Sequence, residues 1–261
     1  MEGWELLRIK GIPVRIHPSW FVILILFAWT AKVQISDSVE VPLPFLFSWA
    51  LGLITSLLLF VSVLLHELGH SFVALHEGVK VRSITLFLLG GVARVEKECS
   101  TAMGSLRVAI AGPLVSFCLA AICLGSVQSA NEFSPLLANL FGQIGSLNLV
   151  LGLFNLLPGL PLDGGVILKA LVWQFTGSQR KGLLVATATG NALSLLAICL
   201  GCWLCFKGGG FGGLWLIMLG WFGFVASRSQ NQMLTLQKAL GDLNVGPASK
   251  RRFRVLEEDL P

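Results

Sequence analysis

Charge is what this 261-residue chain has least of. Asp, Glu, Lys and Arg supply 13% of it, about half of the ~25% usual for a soluble domain. Tyrosine is absent altogether, and nothing else in the chain accounts for that. Six cysteines are present, five of them scattered through apolar runs, so they read as small buried hydrophobes and not as bridges. These shortages exclude a cytosolic globule, a disordered chain and a secreted disulfide scaffold. What remains is apolar: 54% of residues are hydrophobic and the mean hydropathy is +0.78. Eight tryptophans are left to form the aromatic belt, and 29 glycines suit helices that approach closely or break. The composition is that of an integral membrane protein lodged in a lipid bilayer.

A helix needs roughly 20 uncharged residues to span the hydrocarbon. The stretches free of Asp, Glu, Lys and Arg are 16–31, 41–65, 108–131, 133–162, 182–206 and 208–227. They predict six transmembrane helices, the first short and the fourth over-long. The first is not expected to be a cleaved signal, because no small-residue cleavage site follows it. With the N-terminus in the cytoplasm, 17 of the 19 basic residues fall inside and only Lys32 and Lys207 outside. The positive-inside rule therefore predicts cytoplasmic termini. The same rule explains the net charge of +5 without a nucleic-acid partner, and no aromatic-interleaved basic face suggests one.

Residues 79–98, VKVRSITLFLLGGVARVEKE, form neither a span nor an ordinary loop. β-Branched residues flank Gly90-Gly91, which predicts a hairpin turning at the glycine pair. An apolar strand over 84–89 is forbidden in bare lipid, so helices or the interface must shelter it. It is also the expected edge for an extended partner. Alternation in Leu7-Arg8-Ile9-Lys10 and Val14-Arg15-Ile16 allows a further strand.

His66-Glu67-Leu68-Gly69-His70 is an HExxH pattern closing a long apolar run. Spacing i, i+4 sets both imidazoles on one helix face with Cβ atoms about 6 Å apart, the geometry of two zinc ligands. Glu67 lies where a general base can reach a water beside the metal. With four histidines in 261 residues, chance supplies only about 0.002 such matches. A catalytic zinc takes three protein ligands, and three sources compete for the third place. His76 completes HExxHxxxxxH, but Val73 stands where metzincins turn the chain on glycine. Glu96 and Glu98 lie in the charged end of the hairpin. Asp163 is the lone acidic residue between Glu132 and Asp242 and sits in LPGLPLDGG, 157–165. Two prolines and three glycines break a helix there, and broken backbone at membrane depth is tolerated only around a cavity. Asn148 reads as a helix-packing amide, His17 as an interfacial histidine near Trp20, and Cys202 with Cys205 as core packing.

HELGH at 66–70, FLLGGVARVE at 87–96, AGPLVS at 111–116 and FNLLPGLPLDGG at 154–165, in this order, resemble the site-2 protease family of intramembrane zinc metalloproteases. The resemblance runs from about Arg8 to Ser227. It implies His66, His70 and Asp163 as ligands of Zn2+ and Glu67 as catalytic base. Asn155 matches a family asparagine that helps hold the substrate or its oxyanion. The hairpin resembles the family's strand that pairs with an unwound substrate. Many relatives carry nucleotide-sensing CBS domains after the last span.

The expectation is an all-α membrane protein of six transmembrane helices with a small membrane-associated β-hairpin or sheet. Residues 1–227 form the protease domain, and 228–261 a basic cytoplasmic tail or the start of a further domain. The expected activity is zinc-dependent hydrolysis of a peptide bond within or near a transmembrane segment of a substrate protein, at the plasma membrane. The competing reading is a transporter or metal-binding membrane protein whose broken helices line a permeation path.

Overall fold

The computed structural model describes residues 3–38, 44–87, 90–208 and 210–241. Two short strands open the chain, β1 (Trp4–Ile9) and β2 (Ile12–Ile16), joined through the left-handed pair Lys10-Gly11. Helices α1 (Trp20–Ser38) and α2 (Phe45–His76) follow, then strands β3 (Val81–Phe87) and β4 (Gly90–Val95). The remainder is helical: α3 (Ala102–Gly125), α4 (Val127–Phe133), α5 (Pro135–Asn155), α6 (Asp163–Thr176), α7 (Gln179–Phe206) and α8 (Gly210–Gly241).

All six uncharged stretches become helices. Four of them, α2, α3, α5 and α7, are long and apolar enough to cross a membrane. The apolar parts of α1 and α8 are shorter, Trp20–Gln34 and Gly212–Arg228. The over-long fourth stretch ends its helix at Asn155, and residues 156–162 turn before α6 begins at Asp163. The dense run of two prolines and three glycines over 157–165 explains that stop, since each disfavours a helix interior and here they fall together. Helix α8 runs on to Gly241, so residues 228–241 extend the last helix; residues 242–261 lie outside the described ones.

The hairpin belongs to a four-stranded sheet ordered β1-β2-β3-β4, with β2 and β3 parallel. Two expectations are corrected here. The turn is not at the glycine pair: Gly90 and Gly91 lie within β4, opposite Phe87 and Leu86, and the intervening residues 88–89 are outside the described set. Nor is the apolar strand an edge. β3 is paired on both sides, by β2 and β4, because the N-terminal segment supplies strands that the local pattern of 79–98 cannot reveal. β4 is therefore the edge nearest the helices. One sheet face, with Ile12, Val14, Ile16, Ile84 and Leu86, is buried against α1 and α2, Ile84 being 0% exposed. This is how an apolar strand is sheltered. The outer strand β1 leaves Trp4 66% exposed.

Candidate metal centre

Helix α2 is 32 residues long, ~48 Å at 1.5 Å per residue, so His66 lies ~31 Å from its first residue, about one hydrocarbon thickness along it. The helix continues through Val73 to His76, as a valine in place of glycine requires. Its histidine face packs on α3. The Nδ1 of His70 donates to the Val108 carbonyl at 2.7 Å, and the Nδ1 of His66 meets the Ser116 hydroxyl at 2.9 Å. A carbonyl only accepts, so Nδ1 of His70 carries the proton and a neutral ring is left with a bare Nε2. Such outer partners fix tautomer and ring orientation at metal sites.

Both Nε2 atoms meet a third acceptor. The pairs His66 Nε2–His70 Nε2, His66 Nε2–Asp163 Oδ2 and His70 Nε2–Asp163 Oδ2 are each 3.2 Å apart. A tetrahedral zinc with bonds of ~2.0–2.1 Å sets its ligand atoms roughly 3.3 Å apart. Three atoms with lone pairs, in a triangle of that edge, call for a cation between them. His66, at 4% exposed, is almost fully buried. Gly112 on α3 completes the cradle, since a Cβ there would clash with Nε2 of both histidines. The only hydrogen-bearing surface that fits is glycine's.

The other candidates for the third place are committed elsewhere. Glu96 pairs with Arg82, Glu98 accepts from Lys169 and Gln179, and His76 ends α2 outside the cluster. Cys99 lies outside the cluster as well. Glu67 is not one of the clustered acceptors. Its carboxylate accepts from the Ala93 backbone N–H on β4, and a Cβ on Gly91 would come within 2.5 Å of its Cγ. Glycine inside a strand commonly marks such a close approach. Asp163 opens α6, where the helix N-terminus favours an anion.

Asn155 closes α5, is half-buried, and is absent from the walls of the cavity that holds Glu67, His70 and Asp163. Asn148 packs as expected, donating to Ser62 and to the Ile144 carbonyl. The sequence reading gave no role to Ser116, Gly112 or the Val108 carbonyl. Their spacing carried the information: 108, 112 and 116 recur every four residues on one face of α3, and two are small enough for close helix approach.

The profile of Peptidase family M50 matches residues 54–136 and 127–199. A Synechocystis protein named as a zinc metalloprotease is 46% identical over 216 residues, 81% of this chain and 55% of that protein. The zinc metalloprotease Rip3 of Mycobacterium tuberculosis is 36% identical over 243 residues, 92% of this chain and 62% of Rip3. The chain thus spans little more than half the length of these relatives. The solved site-2 protease of Methanocaldococcus jannaschii is 33% identical and superimposes with a TM-score of 0.58, over 87% of this chain and 94% of that one. Motif, geometry and likeness agree, and the chain belongs to Peptidase family M50, the family of the site-2 proteases.

Proposed function

We propose that this protein is an intramembrane zinc metalloprotease that hydrolyses a peptide bond within or near a transmembrane segment of a substrate protein. The observation that carries this reading is the 3.2 Å triangle of His66 Nε2, His70 Nε2 and Asp163 Oδ2 beside Glu67. Those three residues hold Zn2+, and Glu67 stays free of it. Zinc, when bound, supplies Lewis acidity toward the scissile carbonyl and lowers the pKa of the attacking water. Glu67 takes the proton at its carboxylate and delivers it to the leaving amine. The Ala93 N–H holds that carboxylate in place. A helical substrate hides its carbonyls, so it unwinds and lies extended along the outer edge of β4, which no described strand pairs. Asn155, at the break between α5 and α6, steadies the unwound chain or the developing oxyanion.

Six helices cross the plasma membrane in this reading, with both termini cytoplasmic, as the distribution of Lys and Arg requires. The partner is a membrane-spanning protein. Metal analysis beside cleavage of a membrane-spanning peptide tests the reading. About one zinc per chain and chelator-sensitive cleavage are expected. Bound zinc with ion flux and no proteolysis would establish the transporter reading instead.

A further inference from the structure

A cavity of about 280 Å3 opens beside Glu67, between α2, α3, β4 and the start of α6. On α2 its walls come from Glu67, His70, Ser71 and Ala74, a set that recurs at i, i+3, i+4 and i+7 and so forms one helix face. On β4 they come from the alternate residues Gly91, Ala93 and Val95, one face of the pleat. Val108 and Ala109 of α3 close a third side. A chain laid along the outer edge of β4, which no described strand pairs, continues that pleat, and every second side chain of it points to the same sheet face. That face of β4 is the one that lines this cavity.

Ser71 gives the cavity its chemistry. It is 1% exposed, and its hydroxyl has no hydrogen-bond partner among the described residues. The other hydroxyls of α2 are satisfied. Ser48, Thr55 and Ser62 donate to the carbonyls four residues back, and Ser56 donates to the Leu24 carbonyl. Buried hydroxyls are partnered as a rule, so an orphan in a cavity wall next to the base is an unfilled half of a hydrogen bond. The alanines at 74, 93 and 109 leave room for a side chain beside it.

We propose that this cavity is a substrate subsite beside the scissile bond that takes one uncharged, hydrogen-bonding side chain of the threonine or serine class. Ser71 is its polar partner, and Ala74 and Ala109 set its size. The proposal rests on the protease reading above. The test uses the intact zinc-loaded chain and a set of membrane-spanning peptides that differ by Thr, Val, Ala or Leu at each position flanking the cleaved bond. At one position the unaltered protein should cut the Thr peptide about tenfold better than its isostere Val, the size of one added hydrogen bond. Ser71→Ala should bring that ratio to about one. Removing an unpartnered hydroxyl leaves no new orphan, so bound zinc should match the unaltered protein. Ala109→Leu should turn the preference toward Ala over Thr and Leu at the same position. A Thr-to-Val ratio near one at every position, or a ratio that survives Ser71→Ala, overturns the subsite while zinc-dependent cleavage still upholds the protease. Failure of the unaltered, zinc-bound chain to cut any peptide removes both.

Discussion

Two walls of one cavity are made of different materials. On the helix side, the Ser116 hydroxyl and the Val108 carbonyl hold the rings of His66 and His70, and each of the three acceptors, Asp163 included, sits 3.2 Å from the other two. On the sheet side, β4 offers a backbone edge and small residues, with Gly91 present for what it lacks. In the proposed reading the helix wall is specific because metal ligation demands particular atoms at fixed separations. The strand wall is permissive because backbone pairing accepts any residue that keeps its N–H and extended form. Substitutions on the two walls should therefore fail differently.

The largest effect is expected at the helix wall. Gly112→Ala places a Cβ against both Nε2 atoms, so purified protein should carry no zinc and cut nothing. Asp163→Asn removes the negative charge from the triangle and should likewise lose the metal. Glu67→Gln is nearly isosteric and lies outside the ligand set; it should keep about one zinc per chain while hydrolysis disappears. Metal analysis of the three variants separates ligand from base. Full zinc in Asp163→Asn would show that the third ligand is misassigned.

Proline substitutions sharpen the contrast on the strand side. Leu86 lies in β3 between two partners, so Leu86→Pro should break a ladder bond and disrupt the sheet, with zinc lost along with activity. Glu96 donates its N–H to the Lys80 carbonyl at 2.9 Å, so the N–H of the preceding Val95 points away from β3. Val95→Pro should delete one edge donor, lowering cleavage roughly tenfold while zinc stays bound. If Leu86→Pro kept its zinc and Val95→Pro did not, the assignment of inner and outer strands to structure and substrate would be reversed.

This difference also explains what could be read from the chain before its fold was known. The grouping of His66, His70 and Asp163 is legible because few residue types offer such acceptors and their spacing is local or their isolation plain. The break at 156–162 is legible because two prolines and three glycines fall within nine residues, 157–165, where a lone Pro113 or Gly112 is carried inside α3. Strand order was not legible. It depends on β2 lying parallel to β3, a pairing of residues about 70 positions apart that no local alternation encodes. The short helix α6 was hidden inside a charge-poor region broken by Lys169. Ser116 and Gly112 were visible as letters of a motif, but their task depends on which face of α3 meets α2.

A smaller effect should appear at the hydroxyl behind His66. Ser116 is 0% exposed and meets Nδ1 of His66 at 2.9 Å. Ser116→Ala removes that contact and leaves the three ligand atoms in place. Zinc affinity, measured by chelator competition, should fall about 10- to 100-fold, as for other outer partners of metal-bound histidines. Added zinc should restore cleavage. No change in affinity would mean that packing against α3 alone orients the ring.

The smallest effects belong to the ion pairs that flank the end of β4. Arg82 and Glu96 meet at 3.3 Å with side chains 68% and 44% exposed, so Glu96→Gln should cost about 0–1 kcal/mol and vanish in high salt. Glu98 differs because its partner is buried: Lys169 is 6% exposed and donates to it at 2.7 Å, while Gln179 donates at 2.6 Å. That contact ties the chain leaving β4 to α6, the helix that begins with Asp163. Glu98→Gln keeps an acceptor but strands a buried ammonium without its counter-charge. Glu98 itself is 63% exposed, and water screens much of the loss, so about 1–2 kcal/mol is expected, less than the ~3–5 kcal/mol of a fully buried pair. Thermal unfolding of the two variants, at low and high salt, gives the comparison. Equal, salt-sensitive losses would show that Lys169 is solvated in the working protein and that this tie does not hold β4 to the helix carrying Asp163.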